Sequence, residues 1–176
     1  MNEISFLIAA EVLKKLKFEK TIVQTPISKT IGKKLSQNIV IVPILRAGLG
    51  LVEGFITLLP DAERGHIGLY RDEQTYKPVE YLLKLPKIKN KLFIILDPML
   101  ATGNSSTEAV NLLIRSGVSL SKIMLVSLLA APEGIKNLQK NHKLLKIFTA
   151  SIDKGLNKKK FIMPGLGDAG DRYMGT

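Results

Sequence analysis

The apolar run at residues 92–96, Leu-Phe-Ile-Ile-Leu, constrains this chain more than any other stretch. A strand with no polar residue on either face must be covered on both sides, as in the largely parallel sheet of an α/β fold. It runs straight into Asp97-Pro98-Met99-Leu100-Ala101-Thr102-Gly103-Asn104-Ser105-Ser106, a short loop opening a helix predicted over residues 105–116. Unpaired N–H groups at a loop-to-helix junction point outward, and the helix dipole favours an anion there. Gly103 permits close backbone approach or positive φ. Thr102, Ser105 and Ser106 add hydroxyl donors, and Asp97, at the carboxyl end of the strand, can accept from sugar hydroxyls. Ligands of open α/β sheets bind at that end. The loop therefore suits a phosphorylated sugar. It has the spacing of neither a P-loop nor a dinucleotide-binding turn. Ordinary N-capped helices also begin with Ser or Thr, so the loop alone does not decide the matter.

The rest of the chain repeats the alternation. A helix is predicted over residues 4–17, with Ile4, Leu7, Ile8, Val12, Leu13 and Leu16 near one face, and a half-exposed strand over 20–26. Strands are predicted at Asn38–Leu45, 65–70, 122–130 and Lys146–Ile152, and helices at 49–59 and Pro132–Asn141. Residues 71–87 carry charges, Pro78 and Pro86, and read as a long excursion or hairpin arm. The Gly- and Asp-rich tail, 164–176, reads as irregular. The expectation is a single domain with a mostly parallel sheet flanked by helices, an arm at about 70–88 and a C-terminal hood at about 153–176.

The 176 residues suffice for one domain with a sizeable core. The chain has no cysteine, which excludes disulfides, thiolate nucleophiles and thiolate metal sites. Its two histidines, His66 and His142, are too isolated to suggest zinc. The opening residues lack the pattern of a secretion signal, and no apolar stretch is long enough to span a membrane, so the expected compartment is the cytosol. The net charge is +11, with lysines gathered at 14–34 and 136–160. Each run contains only one aromatic residue, Phe18 and Phe148, too few to interleave the lysines as a base-stacking surface would, so a solvated surface is favoured over specific nucleic-acid binding. A basic field also gathers polyphosphate substrates.

Beside the loop stand Val42-Pro43-Ile44-Leu45-Arg46-Ala47-Gly48-Leu49-Gly50, Tyr70-Arg71-Asp72-Glu73, Ala130-Ala131-Pro132-Glu133-Gly134, Thr149-Ala150-Ser151-Ile152-Asp153 and the run from Pro164 to Asp171. In this order, over the chain from about Lys20 to its end, they resemble the uracil phosphoribosyltransferases, of the type I phosphoribosyltransferase superfamily. The resemblance implies pyrimidine salvage: uracil and 5-phospho-α-D-ribose 1-diphosphate (PRPP) give UMP and diphosphate. Asp97, Arg71 and Asp168 would be the catalytic residues. PRPP would be bound by Arg46, Arg71, Asp97, Asp168 and the cradle Pro98, Met99, Leu100, Ala101, Thr102, Gly103, Asn104 and Ser105. Ile162, Gly167, Asp168 and Ala169 would seat uracil, and Asp171 and Tyr173 would fix the tail.

The same resemblance implies Mg²⁺ held mainly by the substrate's diphosphate rather than directly by the protein, a homo-oligomer, GTP as a possible effector, and a non-proline cis peptide in the loop at 45–47. Two departures stand out. Asn104 occupies a position where the family pattern has glycine. Family members also carry a further N-terminal arm and helix ahead of the segment matching residues 4–17, often part of subunit contacts. A nucleotide-sensing regulator that binds RNA is the alternative the same fold allows.

Overall fold

The computed structural model describes residues 1–72 and 78–176, with Arg71 through its backbone alone. The elements, in chain order, are α1 (Asn2–Leu13), β1 (Phe18–Gln24), β2 (Lys29–Leu35), β3 (Asn38–Leu45), α2 (Leu49–Leu58), β4 (Glu63–Arg64), β5 (His66–Arg71), β6 (Pro78–Lys84), β7 (Lys91–Leu96), β8 (Met99–Leu100), α3 (Asn104–Arg115), β9 (Ile123–Ala130), α4 (Pro132–Asn141), β10 (Lys146–Ile152), β11 (Gly155–Leu156), β12 (Ile162–Met163) and α5 (Ala169–Met174). The main sheet runs β10-β9-β7-β3-β5-β6, with β4 beside β3 and β8 beside β9. All its pairings are parallel except β5–β6.

The apolar strands are buried on both faces, as their composition demands. Val40, Val42, Phe93, Ile95 and Leu125 point to one side, where Val110, Leu113 and Leu138 of α3 and α4 cover them. Ile39, Ile41, Leu92, Ile94 and Val126 point to the other, against Ile8, Val12, Leu51 and Phe55 of α1 and α2. Period-2 alternation along each strand thus feeds two cores separated by one sheet. Full burial of each such side chain is worth about 1.5–3 kcal/mol. Among the described residues no helix is long and apolar enough to cross a membrane.

Three sequence expectations need correction. The first helix stops at Leu13 rather than Lys17. Lys15 N–H bonds to Val12 O and Leu16 N–H to Leu13 O, so a tight turn carries buried Leu16 into the core and prolongs the apolar period beyond the helix. The strand expected at 20–26 is one arm of a separate hairpin, β1 against β2, largely exposed on both faces. Its turn forms because Thr25 Oγ1 accepts from Ile27 N–H at 3.2 Å and Ser28 N–H at 3.0 Å. The tail is not wholly irregular, since Ala169–Met174 is helical, capped by Asp168 Oδ1 accepting from Asp171 N–H at 3.0 Å.

The expected arm corresponds to the antiparallel pair β5–β6, with Arg71 opposite Pro78. The expectation of a closing lid falls partly on residues 73–77, outside the described residues. Lys84 pairs with His66 at the other end of that hairpin, away from Arg71.

Candidate active site

At the carboxyl ends of the central parallel strands, β3 and β7, two adjoining hollows form one cleft. The first, about 280 Å³, is lined by Arg46 and Ala47 after β3 and by Thr102, Gly103, Asn104, Ser105 and Ser106 where α3 begins. The second, about 330 Å³, is lined by Pro98, Lys159, Lys160, Phe161, Ile162, Gly167, Ala169 and Gly170. Ala47, Asp97, Met99, Ala101 and Asp168 border both. The two carboxylates at the shared wall come from distant parts of the chain, Asp97 from the end of β7 at mid-chain and Asp168 from the cap of α5 near the C-terminus.

Local chemistry fixes the first hollow. Gly103 has φ of 79°, a left-handed conformation, and a Cβ there would lie 2.8 Å from Gly134 O. The first-turn N–H groups of α3 have no acceptor within the helix and face this end. Arg46 is exposed and follows a cis Leu45–Arg46 peptide, within the loop where such a bond was expected. Gly48 brings that loop against β7, where a Cβ would meet Leu96 O at 2.4 Å. Asn104 does not need glycine's freedom, because positive φ in this loop belongs to Gly103 and not to Asn104.

Asp97 lies half-buried between the hollows. Ser106 Oγ donates to its Oδ2 at 2.7 Å. Burial pushes the carboxyl up to about 6, against the opposing pull of hydrogen bonds from Ser106 and Met99 N–H. It is therefore a carboxylate held in reserve against its own desolvation.

The second hollow is built by the tail. Asp153 Oδ2 accepts from Gly165 N–H at 2.9 Å, and Lys154 N–H reaches Met163 O at 3.0 Å, across a chain that turns through a cis Met163–Pro164 bond. Glu133 Oε1 accepts from Leu156 N–H at 3.0 Å. Hydrogen bonds from its own N–H and from Leu156 hold the Glu133 carboxyl below the usual range. Tyr173 packs at Gly50 on α2 and so joins the tail to the body of the domain, whereas Asp171 bonds only within the tail, its Oδ1 accepting from Thr176 Oγ1 at 3.3 Å.

Most of the residues expected to form the site come together here. Leu100 does not: it is fully buried in the core beneath the loop, because the two-residue strand β8 turns it inward. Pro98 borders the second hollow rather than the first. Arg71 ends β5, and its side chain lies outside the described set. Ala47, Lys159, Lys160, Phe161 and Gly170 were not anticipated, nor was Ser106 as the hydroxyl that holds Asp97. The signal for Ser106 is its place in the first turn of the helix that follows the Asp97 loop, as that helix's third residue. His66 and His142 border neither hollow.

The family model for uracil phosphoribosyltransferase matches residues 1–176. The chain belongs to the uracil phosphoribosyltransferase family. The curated uracil phosphoribosyltransferases of Streptococcus salivarius and Streptococcus mutans are 52% and 49% identical to it, each over all of this chain and 84% of their own length. Among solved structures, the AQ2163 protein from Aquifex aeolicus superposes with a TM-score of 0.89 at 40% identity, covering 97% of this chain and 82% of that one. A hypoxanthine-guanine phosphoribosyltransferase from Bacillus anthracis gives a TM-score of 0.61 at 12% identity, over 89% of this chain and 78% of that one. That likeness shows the shared fold, the type I phosphoribosyltransferase α/β architecture, and the family makes this chain a glycosyltransferase-type enzyme.

Proposed function

We propose that this uracil phosphoribosyltransferase family member carries out the reaction of its relatives' name on PRPP: the bond from ribose C1 to diphosphate breaks, the bond from C1 to uracil N1 forms, and the N1 proton is released. The observation that supports this reading best is the two-part cleft with Asp97 and Asp168 on its common wall. In this reading the first-turn amides of α3, with the hydroxyls of Thr102 and Ser105, hold the 5-phosphate. Asp97 accepts from the ribose hydroxyls. Arg46 and Arg71 bind the leaving diphosphate, whose growing charge a guanidinium suits. Ile162 covers the base, while backbone groups at Gly167 and Ala169 match uracil's donor and carbonyls and reject cytosine.

Among the described residues no cluster of three metal-ligating side chains forms, and Asp97 and Asp168 are the carboxylates at the cleft. That donor set fits Mg²⁺ carried by diphosphate and water, with Asp168 as a partner from the protein. Bound there, the ion neutralises charge on the leaving group.

Turnover with radiolabelled uracil, PRPP and Mg²⁺ tests the reading. UMP formation that needs both substrates, is absent with cytosine, and is lost in Asp168→Asn and Arg71→Ala is the expected result. A folded protein that binds neither substrate would overturn it. A further expectation concerns the bracket under the base end. Glu133→Gln weakens the acceptor for Leu156 N–H, so KM for uracil should rise about 3–10-fold while KM for PRPP stays put. Steady-state kinetics in each substrate separates the two.

We also propose a cytosolic homo-oligomer. Ile22, Ile27 and Ile31 on the β1–β2 hairpin, and separately Leu7 on α1, are each more than half exposed, apolar surfaces that a second copy would cover. Light scattering over a range of concentrations tests this, and activity with and without GTP tests the effector that the family resemblance implies.

A further inference from the structure

Asn137 lies on α4, outside both hollows, yet it grips the loop between them and the helix. Its Nδ2 donates to Thr102 O at 2.8 Å and to Asn104 Oδ1 at 3.0 Å. Thr102 and Asn104 flank Gly103, the left-handed residue on which the turn into α3 depends. One amide thus holds both sides of that turn.

The clamp is anchored in its turn. Asn141 Nδ2 donates to Asn137 O at 2.8 Å and to Asn137 Oδ1 at 3.1 Å. At Gly134 α4 meets the loop with no side chain between them, since a Cβ there would lie 2.5 Å from Ala101 O. The orientation of the amides follows from chemistry. The backbone carbonyls of Thr102 and Asn137 can only accept, so Asn137 and Asn141 must each present nitrogen to them. Asn104 must then present oxygen to Asn137.

Asn104 is the first residue of α3, so its side chain brings a carbonyl acceptor beside the amides read here as the phosphate cradle. Gly103 holds the cap position, and an unrestrained Asn one residue on can turn its carbonyl toward nearby first-turn N–H groups. That would compete with an anion for the same donors. Asn137 engages Oδ1 instead and directs it to α4.

We propose that Asn137 is a positioning residue for phosphate binding: it fixes the Thr102–Asn104 turn and keeps the Asn104 carbonyl from occupying the cradle. This rests on the reading of that loop as the seat of the PRPP 5-phosphate.

The test is a four-protein cycle of the parent, Asn137→Ala, Asn104→Gly and the double variant, with KM measured separately for PRPP and uracil and PRPP affinity measured by calorimetry. Asn137→Ala should raise KM and Kd for PRPP about 3–10-fold, with KM for uracil unchanged. In the Asn104→Gly background the same change should cost about twofold or less, the share left by the Thr102 bond. If Asn137→Ala folds poorly, Asn137→Asp provides the second variant. It keeps the side chain's size and loses the donor, so PRPP binding should weaken by at least as much. An equal loss in both backgrounds, an equal rise in both KM values, or no change for PRPP overturns the proposal. A parent protein that fails to bind PRPP overturns the underlying reading as well, whereas a binding parent matched by Asn137→Ala defeats the positioning role alone.

Discussion

Asp97→Asn should abolish most turnover and, at the same time, make the protein harder to unfold at pH 8. The two effects come from one cause. The Asp97 carboxyl titrates near 6 in the folded protein, against 3.8 for an unperturbed aspartate, because burial disfavours its charge more than Ser106 and Met99 favour it. Between those values the folded state binds more protons at Asp97 than the unfolded one, so the Asp97 contribution to stability is fullest below about pH 4 and is lost as pH rises through 6. A shift of this size corresponds to about 3 kcal/mol at most. A neutral amide of the same shape avoids that cost and can keep its oxygen toward Ser106, so Asn should recover about 1–3 kcal/mol at pH 8 and nothing at pH 4.

Turnover should fall by about 10²–10³, the scale for removing a charged acceptor aimed at the reacting sugar. In the parent enzyme kcat/KM for PRPP should fall below pH 6, as the carboxylate that accepts from the ribose becomes protonated. Melting temperature against pH, with and without PRPP, reads the stability half directly. An Asn variant less stable than the parent at pH 8 would show that the hydrogen bonds to the carboxylate outweigh its desolvation.

How far the sequence displays this arrangement depends on the range of the forces involved. The strands β3, β7 and β9 were legible because their burial on both faces writes unbroken apolar runs into the chain, and Asn38–Leu45 and Pro132–Asn141 match their predicted bounds. Helix α1 was overextended because burial of Leu16 continues the helical period after the hydrogen-bonding pattern has changed. Only the first strand of the hairpin β1–β2 is legible, from the apolar and polar alternation over 20–26; β2, Lys29–Leu35, sets Ile31 among three lysines and shows no such period. Helix α5 leaves little trace in the sequence because it is only six residues long with a glycine at its second position, and what holds it is the Asp168 cap and Tyr173 against Gly50.

The site shows the same division. Asp97 and Gly103 could be read from a local motif. Ser106 with Asp97, and Asn137 with Thr102 and Asn104, are pairings between residues that the fold brings together. The inward turn of Leu100 follows from the strand β8 that resumes after Pro98, whose two residues are too few to show a strand period in the sequence.

Gly103→Ala is expected to have the second large effect, and Gly167→Ala supplies its control. Both glycines have nearly the same backbone, φ of 79° and 78°, so an added methyl meets similar local strain at each, about 1 kcal/mol. Their surroundings differ. At Gly167 a Cβ has nothing within 4 Å, whereas at Gly103 it would be 2.8 Å from Gly134 O and 3.3 Å from Gly134 Cα. Both of those are backbone atoms of α4, and α4 cannot retreat freely: Gly134 is seated against Ala101, and Asn137 holds Thr102. Relief must come from the loop, which shifts the first-turn amides of α3. A displacement of about 1 Å in a preorganised site is enough to cost about 10²-fold.

Gly103→Ala should therefore lose about 10²-fold or more in kcat/KM for PRPP and about 2–4 kcal/mol of stability, the sum of strain and overpacking. Gly167→Ala should lose only about 1 kcal/mol of stability, with its kinetic effect confined to uracil. Thermal melts and kinetics in both substrates separate steric contact from backbone conformation. If the two variants behaved alike, the packing of α4 on the loop would have no part in shaping the cradle.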